Sequence, residues 1–322
     1  MTKEELKLSI QQYIEKETNV ISDSTLKKKT STLNSFLKKY NEEKTFHDNI
    51  ANFLKDNSTF GSFRINKMLL KGWLGFANIN CDIEDIQFQT NFITDVKELN
   101  DAIDKVMNNP DIDIWSVEVS AYSCYVKLIC YLLWVGVPKS SLSKMKKGDY
   151  DIDRQILWVK QQNGKKQKID LSSEYFSDVS DMLHKELCDN IYSLHFKKEP
   201  QNICGKLRDV TTYNNTNISK AYNTNDYLFR PISSGTSTVN VVNGIRTIIV
   251  PRICLKLNII SKSGFFYRAH KYLLNVYRTD IGGKNGKNLS QALDFFDYNL
   301  TRKGIVQEYK IYLEQCSKRS KI

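Results

Sequence analysis

In TLKKKTSTLNSFLKKY, residues 25–40, the apolar side chains Leu26, Leu33, Phe36, Leu37 and Tyr40 recur at helical spacing while the lysines fall between them. Ser24 stands where an N-cap would, just ahead of the run. This period limits the fold more than any other feature, because it returns segment after segment. Leu6, Ile10, Tyr13 and Ile14 share one side of residues 3–17, and FHDNIANFLKDN and FRINKMLLKGWLGFANI repeat the pattern. A chain patterned in stripes packs helix against helix. Four or five short helices therefore predict an N-terminal bundle ending near Asn80.

The acidic stretch CDIEDIQFQTNF, residues 81–92, loses the helical period and reverses the charge sign, which marks a linker. Helical spacing resumes in DVKELNDAIDKVMNN, stopped by Pro110, and in WSVEVSAYSCYVKLICYLLWVG. Then the period drops to two. QILWVKQQNGKKQKIDLS, residues 155–172, carries two strand-like runs around Asn163-Gly164, a strong short-range hairpin signal. A further helix is expected near 174–189. Residues 200–248, rich in Asn, Thr and Ser, read as loop, and helices return from 250, interrupted by GGKNGKN at 282–288. No repeat of fixed period is present. At 322 residues the chain exceeds what one core usually organises. The expectation is a mainly α protein with a small β-hairpin or sheet, divided into a helical domain at 1–80, a linker at 81–92 and a larger domain at 93–322.

A net charge of +11 points to a polyanionic partner. Residues 24–80 hold ten Lys/Arg against four Asp/Glu, and residues 250–322 hold fourteen against five. Two separated basic blocks suit a clamp. The N-terminus, MTKEELKLSIQQYIEKE, is charged every few residues and matches neither a secretory signal nor a transit peptide. The longest apolar run, LICYLLWVGV, is about half the roughly 20 residues of a membrane span. A cytoplasmic, nucleoid-associated protein with no membrane partner follows as the expectation. The seven cysteines are odd in number and scattered among apolar neighbours, which fits buried free thiols. His47, His184, His195 and His270 lie in no metal-binding pattern, GGKNGKN lacks the spacing of a phosphate loop, and no G-x-S-x-G elbow occurs, so no metal and no cofactor are expected.

Three segments carry a resemblance. VGVPKSSLSKMKKGDYD, residues 135–151, follows the frame tGLRisELl.L...Did, with Gly136, Leu142, Met145 and Asp149 on its structural positions. A hairpin with Lys165 and Lys166 at its turn comes next, and FFYRA, residues 265–269, matches an H-x-x-R-H box. The order and frames resemble the tyrosine recombinase (phage integrase) family over nearly the whole chain. The resemblance implies a helical core-binding domain followed by a larger catalytic-like domain. It also implies a hairpin lysine, Lys165 or Lys166, that protonates a leaving oxygen, an arginine at Arg268, and a nucleophile whose nearest counterpart is Tyr309, within LDFFDYNLTRKGIVQEY where Leu293 is in frame.

The departures change the chemistry. The family's first arginine falls on Pro138 with Lys139 beside it, the following glutamate on Ser141, the second-box histidine on Phe265 and the third-box histidine or tryptophan on Phe295. Attack on a phosphodiester builds negative charge that positioned cations must meet, and planar arginine forks grip such oxygens bidentately. Proline has no donor, and removing one preorganised donor costs about 100- to 1000-fold in rate. Binding needs many cations but no nucleophile, because affinity for duplex DNA comes largely from phosphate neutralisation.

The expectation is accordingly a sequence-specific DNA-binding transcriptional repressor, of the kind that governs prophage lysis and lysogeny, with no catalytic residues beyond the vestigial Lys165, Lys166, Arg268 and Tyr309. Its expected DNA contacts are Lys27, Lys28 and Lys29 on the second helix, and Arg64, Lys67 and Lys71 on the fourth. Lys139, Lys144 and Lys146 follow around the first box, then Lys165, Lys166 and Lys168 at the hairpin tip, and Arg268, His270 and Lys271, read as the head of a helix. A regulatory protein or peptide antagonist remains open as a second partner. The alternatives are an active site-specific recombinase, with Lys139 replacing the missing arginine, and an accessory protein that holds another protein with the same surfaces.

Overall fold

The computed structural model describes all residues except 19, 58, 109–123, 162–163, 193–196, 204–205, 214–215, 219–225, 231–236, 254–255, 279–286, 299–303 and 320–322. Asn163, the beginning of the helix expected from 115, and most of GGKNGKN lie outside the described residues. The chain divides into two units: Met1–Thr90 with Thr301–Ile311, and Asn91–Leu300 with Tyr312–Ile322.

In the first unit each of the four helices between Lys3 and Phe76 follows a polar N-cap residue. α1 (Lys3–Glu17) opens with a capping box in which Thr2 accepts from the Glu5 amide and Glu5 accepts from that of Thr2. α2 (Asp23–Lys39) starts after Ser22, two residues ahead of the expected cap at Ser24. Thr45 caps α3 (Phe46–Lys55) and Thr59 caps α4 (Phe60–Phe76) through the amides of Asp48 and Ser62. The apolar stripes then meet: Leu6, Ile10, Leu33, Phe36, Ile50, Leu54, Leu70 and Trp73 are at most 3% exposed. Phe36 sets its ring against Tyr40, Phe53 and Trp73.

The acidic stretch after α4 is not a free linker up to Thr90, because Ile83, Ile86 and Phe88 are buried in this core. Its carboxylates face the helices: Glu84 pairs with Lys67 and Lys71, and Asp85 accepts from His47 Nε2 at 2.9 Å. Charge reversal, read as a boundary, instead lets the segment neutralise basic side chains of α3 and α4. The far end of the chain joins the same unit. Glu308 accepts the Phe60 amide at 2.7 Å, and Ile311 packs on the core.

In the second unit Asp95 caps α5 (Val96–Met107) through the Glu98 amide at 2.8 Å. The helix Cys124–Trp134 is the centre: Tyr125, Val126, Leu128, Ile129, Leu132 and Trp134 are fully buried. Against it lies the helix Leu257–Tyr277, brought close at Gly264, where a Cβ would fall 2.0 Å from the Trp134 carbonyl oxygen. A turn, Lys139–Leu142, leads to an antiparallel sheet of β1 (Tyr150–Asp151), β2 (Ile156–Lys160) and β3 (Lys166–Asp170). Leu157, Val159, Gln167 and Ile169 point inward from this sheet, and Trp158, Lys160, Lys166 and Lys168 outward. The helix Ser180–Tyr192 follows.

Residues 200–248, expected as loop, contain regular structure. β4 (Lys197–Ile203), β5 (Lys206–Tyr213) and β6 (Thr216–Ile218) form a second antiparallel sheet, and Thr238–Ile253 is a helix. Pro200 and the asparagine-rich composition hide the strands, while Val241, Val242 and Ile245 do carry the buried helical spacing. The protein is thus mainly helical with small antiparallel sheets. No helix of the described residues is long and apolar enough to cross a membrane. Cys81, Cys130, Cys188 and Cys316 are free thiols, and burial pushes the Cys130 pKa up to about 12.

Candidate nucleic-acid interface

Arg268 does not head a helix or face solvent. It lies in the middle of Leu257–Tyr277 with no exposed surface. Its Nη2 donates to the Trp134 carbonyl and to the Tyr298 hydroxyl, which itself donates to that carbonyl at 3.1 Å. The guanidinium carbon sits 4.9 Å from the Phe176 ring centroid. Trp134 ends its helix, where carbonyls lose their intrahelical partners, and Gly136 at φ +103° turns the chain away. Arg268 therefore caps a buried helix end. The expected place at the head of a helix is corrected, and the sequence signal was Gly264 one helical turn before it.

Other expected contacts are already engaged. Tyr309 is 1% exposed. Lys29 bonds Glu17 at 2.8 Å, Lys67 donates to the carbonyls of Glu84 and Ile86 at 3.0 and 3.1 Å, and Lys71 pairs with Glu84. At the hairpin, Lys165 bonds Asp297 at 2.9 Å and Lys168 bonds Asp170 at 3.3 Å. Lys271 lies 4.7 Å from the Tyr267 ring centroid, and His270 is half-buried. Lys27, Lys28 and Arg64 are exposed in the first unit without an ion pair among the described residues.

What remains gathers on the second unit. In the β2–β3 register Lys160 stands directly opposite Lys166 on the outward face, and Trp158 opposite Lys168. Neither Lys160 nor Lys166 has an ion pair among the described residues. Like charges facing across a ladder cost roughly 0.2–1 kcal/mol. The Ser141 hydroxyl donates to the Lys160 carbonyl at 2.7 Å, which ties the Lys139–Leu142 turn to the hairpin. Beside that turn a recess of about 440 Å³ is lined by Lys139, Ser140, Ser143, Val239, Val242 and Asn243, with no carboxylate. Burial, then the nearby Arg246 guanidinium, hold the Lys139 pKa below that of a free lysine. Burial, then Arg230, do the same to Lys147, against a smaller opposing pull from Asp226. Main-chain bonds from Lys147 N to Asp226 O and from Leu228 N to Met145 O, both 2.9 Å, fix this loop.

Of the expected residues, Lys166 lies on this hairpin face and Lys139 on the turn bonded to it through Ser141, while Lys144 and Lys146 are exposed on the segment that follows the turn. Lys160 and Arg246 join them, and the sequence reading missed both. Period-two alternation marked Lys160. Arg246 was hidden in the supposed loop. Cations that repel one another and share hydroxyl and amide donors can hold anionic oxygens, and their mutual repulsion falls when they do.

No protein-family model matches the chain, and no curated protein matches it. Among solved structures, similarities include a lambda integrase dimer bound to a COC' core site, with 12% identity and a TM-score of 0.38 over 94% of each chain. XerA recombinase gives 14% identity and a TM-score of 0.33 over 98% of this chain and 99% of that one. Lambda integrase residues 75–356 bound to DNA gives 14% and 0.34 over 92% and 98%.

Proposed function

We propose that this chain binds double-stranded DNA through the cationic face of its second unit and acts as a sequence-specific transcriptional repressor of the prophage-control kind, without cutting the strand it holds. The observation that carries the reading is Lys160 opposite Lys166, with Lys139 on the attached turn within the electrostatic reach of Arg246 of the helix Thr238–Ile253, all without a neutralising carboxylate bonded to them among the described residues. Such an arrangement is costly in water and favourable against phosphates. Exposed Lys27, Lys28 and Arg64 supply further cations on the first unit. The resemblance of the 135–151 frame and of the hairpin to tyrosine recombinases favours the same ligand.

Absence of cleavage is supported by the missing arginine at Pro138 and by the burial of Arg268 and Tyr309, which leaves two of the vestigial groups indoors. Titration of the protein into labelled duplex tests the reading. Log affinity should fall linearly with log salt, and Lys139→Gln with Lys166→Gln should reduce the steepness by roughly one for each phosphate no longer neutralised. A salt-independent affinity would overturn DNA binding. A denaturation-resistant protein–DNA adduct on a nicked duplex, abolished by Tyr309→Phe, would overturn the non-cleaving part. Enrichment of the tagged protein at promoters in genomic occupancy is the result expected of a repressor.

A further inference from the structure

Trp158 is out of place for a large aromatic. Trp73 and Trp134 are fully buried, whereas Trp158 keeps 40% of its surface exposed on the outward face of β2, the central strand of its sheet. It lies directly opposite Lys168, and Lys160 is the next residue on the same face, opposite Lys166. The outward surface of β2 and β3 is therefore an aromatic ring set among three lysines, two of them without an ion pair among the described residues.

Lysines alone would serve phosphates. An indole among them adds a flat π-surface, and what lies flat on it must offer a π-face of its own beside negative charge. Intact duplex shows the protein only base edges and backbone. An unpaired nucleobase offers both its face and its phosphate, and stacking on aromatic side chains set in a cationic groove is how such bases are held.

We infer that the outward face of the β2–β3 hairpin is a stacking platform for an unpaired nucleobase, with Trp158 beneath the base and Lys160 and Lys166 on the flanking phosphates. This inference rests on the DNA-binding reading and narrows it: the preferred DNA carries a base outside the helical stack.

The test compares a short labelled duplex with the same duplex carrying a single-base bulge, binding each to the full chain at several salt concentrations. Wild type should favour the bulged duplex, with Trp fluorescence quenched on binding. Trp158→Ala should lose roughly ten- to hundredfold on the bulged duplex and little on the intact one, leaving the salt dependence unchanged, because stacking releases no counterions. Trp158→Phe should restore most of the loss, and near-ultraviolet circular dichroism checks that each variant is folded. Equal affinity of Trp158→Ala and wild type for the bulge would overturn the inference while leaving DNA binding intact, as would a loss accompanied by a shallower salt dependence. Failure of wild type to bind either duplex would overturn the underlying reading instead.

Discussion

Arg268 shows how one residue's role follows from what surrounds it. Its Nη2 meets a helix-end carbonyl and a tyrosine hydroxyl and its plane an aromatic ring, while Nε and Nη1 are buried with no hydrogen-bond partner among the described residues. Arg268→Ala is expected to cost about 2–5 kcal/mol in denaturant unfolding, the range for emptying a buried long side chain. Arg268→Met, which keeps the volume, should cost less, and both should bind duplex like wild type when assayed folded. Lys139 makes a second residue-scale case. Burial and Arg246 disfavour its charge, so its folded pKa lies below the unfolded one. Between the two values the unfolded chain binds more protons, and stability rises as pH climbs through that alkaline window. Lys139→Gln should flatten that rise in denaturation curves recorded across it.

At the scale of elements, the hairpin and the glycine contact separate what was legible from what was not. Alternation in ILWVK and KQKID located β2 and β3, because a half-buried strand must alternate. The opposing lysines could not be read, since register depends on a turn that pattern alone does not count. Lys166→Glu should turn repulsion into attraction and stabilise the fold by roughly 0.2–1 kcal/mol in thermal unfolding, while weakening DNA binding. The expected helices of the first bundle appeared because stripes are a local property. The strands at 197–218 and the helix from Thr238 were missed because polar composition masked them. Arg268 was expected at a helix head for a related reason: motif frames report spacing, whereas burial is set by a distant partner at Trp134. Gly264→Ala should destabilise by about 1–3 kcal/mol or more, since the carbonyl it would strike is main chain and cannot step aside.

At the scale of the whole molecule, the first unit is discontinuous in sequence. Residues 1–90 are completed by residues 301–311: Glu308 receives the first amide of α4, and a Cβ at Gly304 would sit 3.1 Å from the Phe60 ring. Glu308→Ala should cost roughly 1–3 kcal/mol, the desolvation penalty of an amide left without its acceptor, read from unfolding followed by Trp73 fluorescence. The consequence reaches into biosynthesis. The helices of residues 3–76 leave the ribosome more than two hundred residues ahead of their last packing partner. Ribosome stalling or a premature stop just before residue 301 would thus be felt first among residues 1–90.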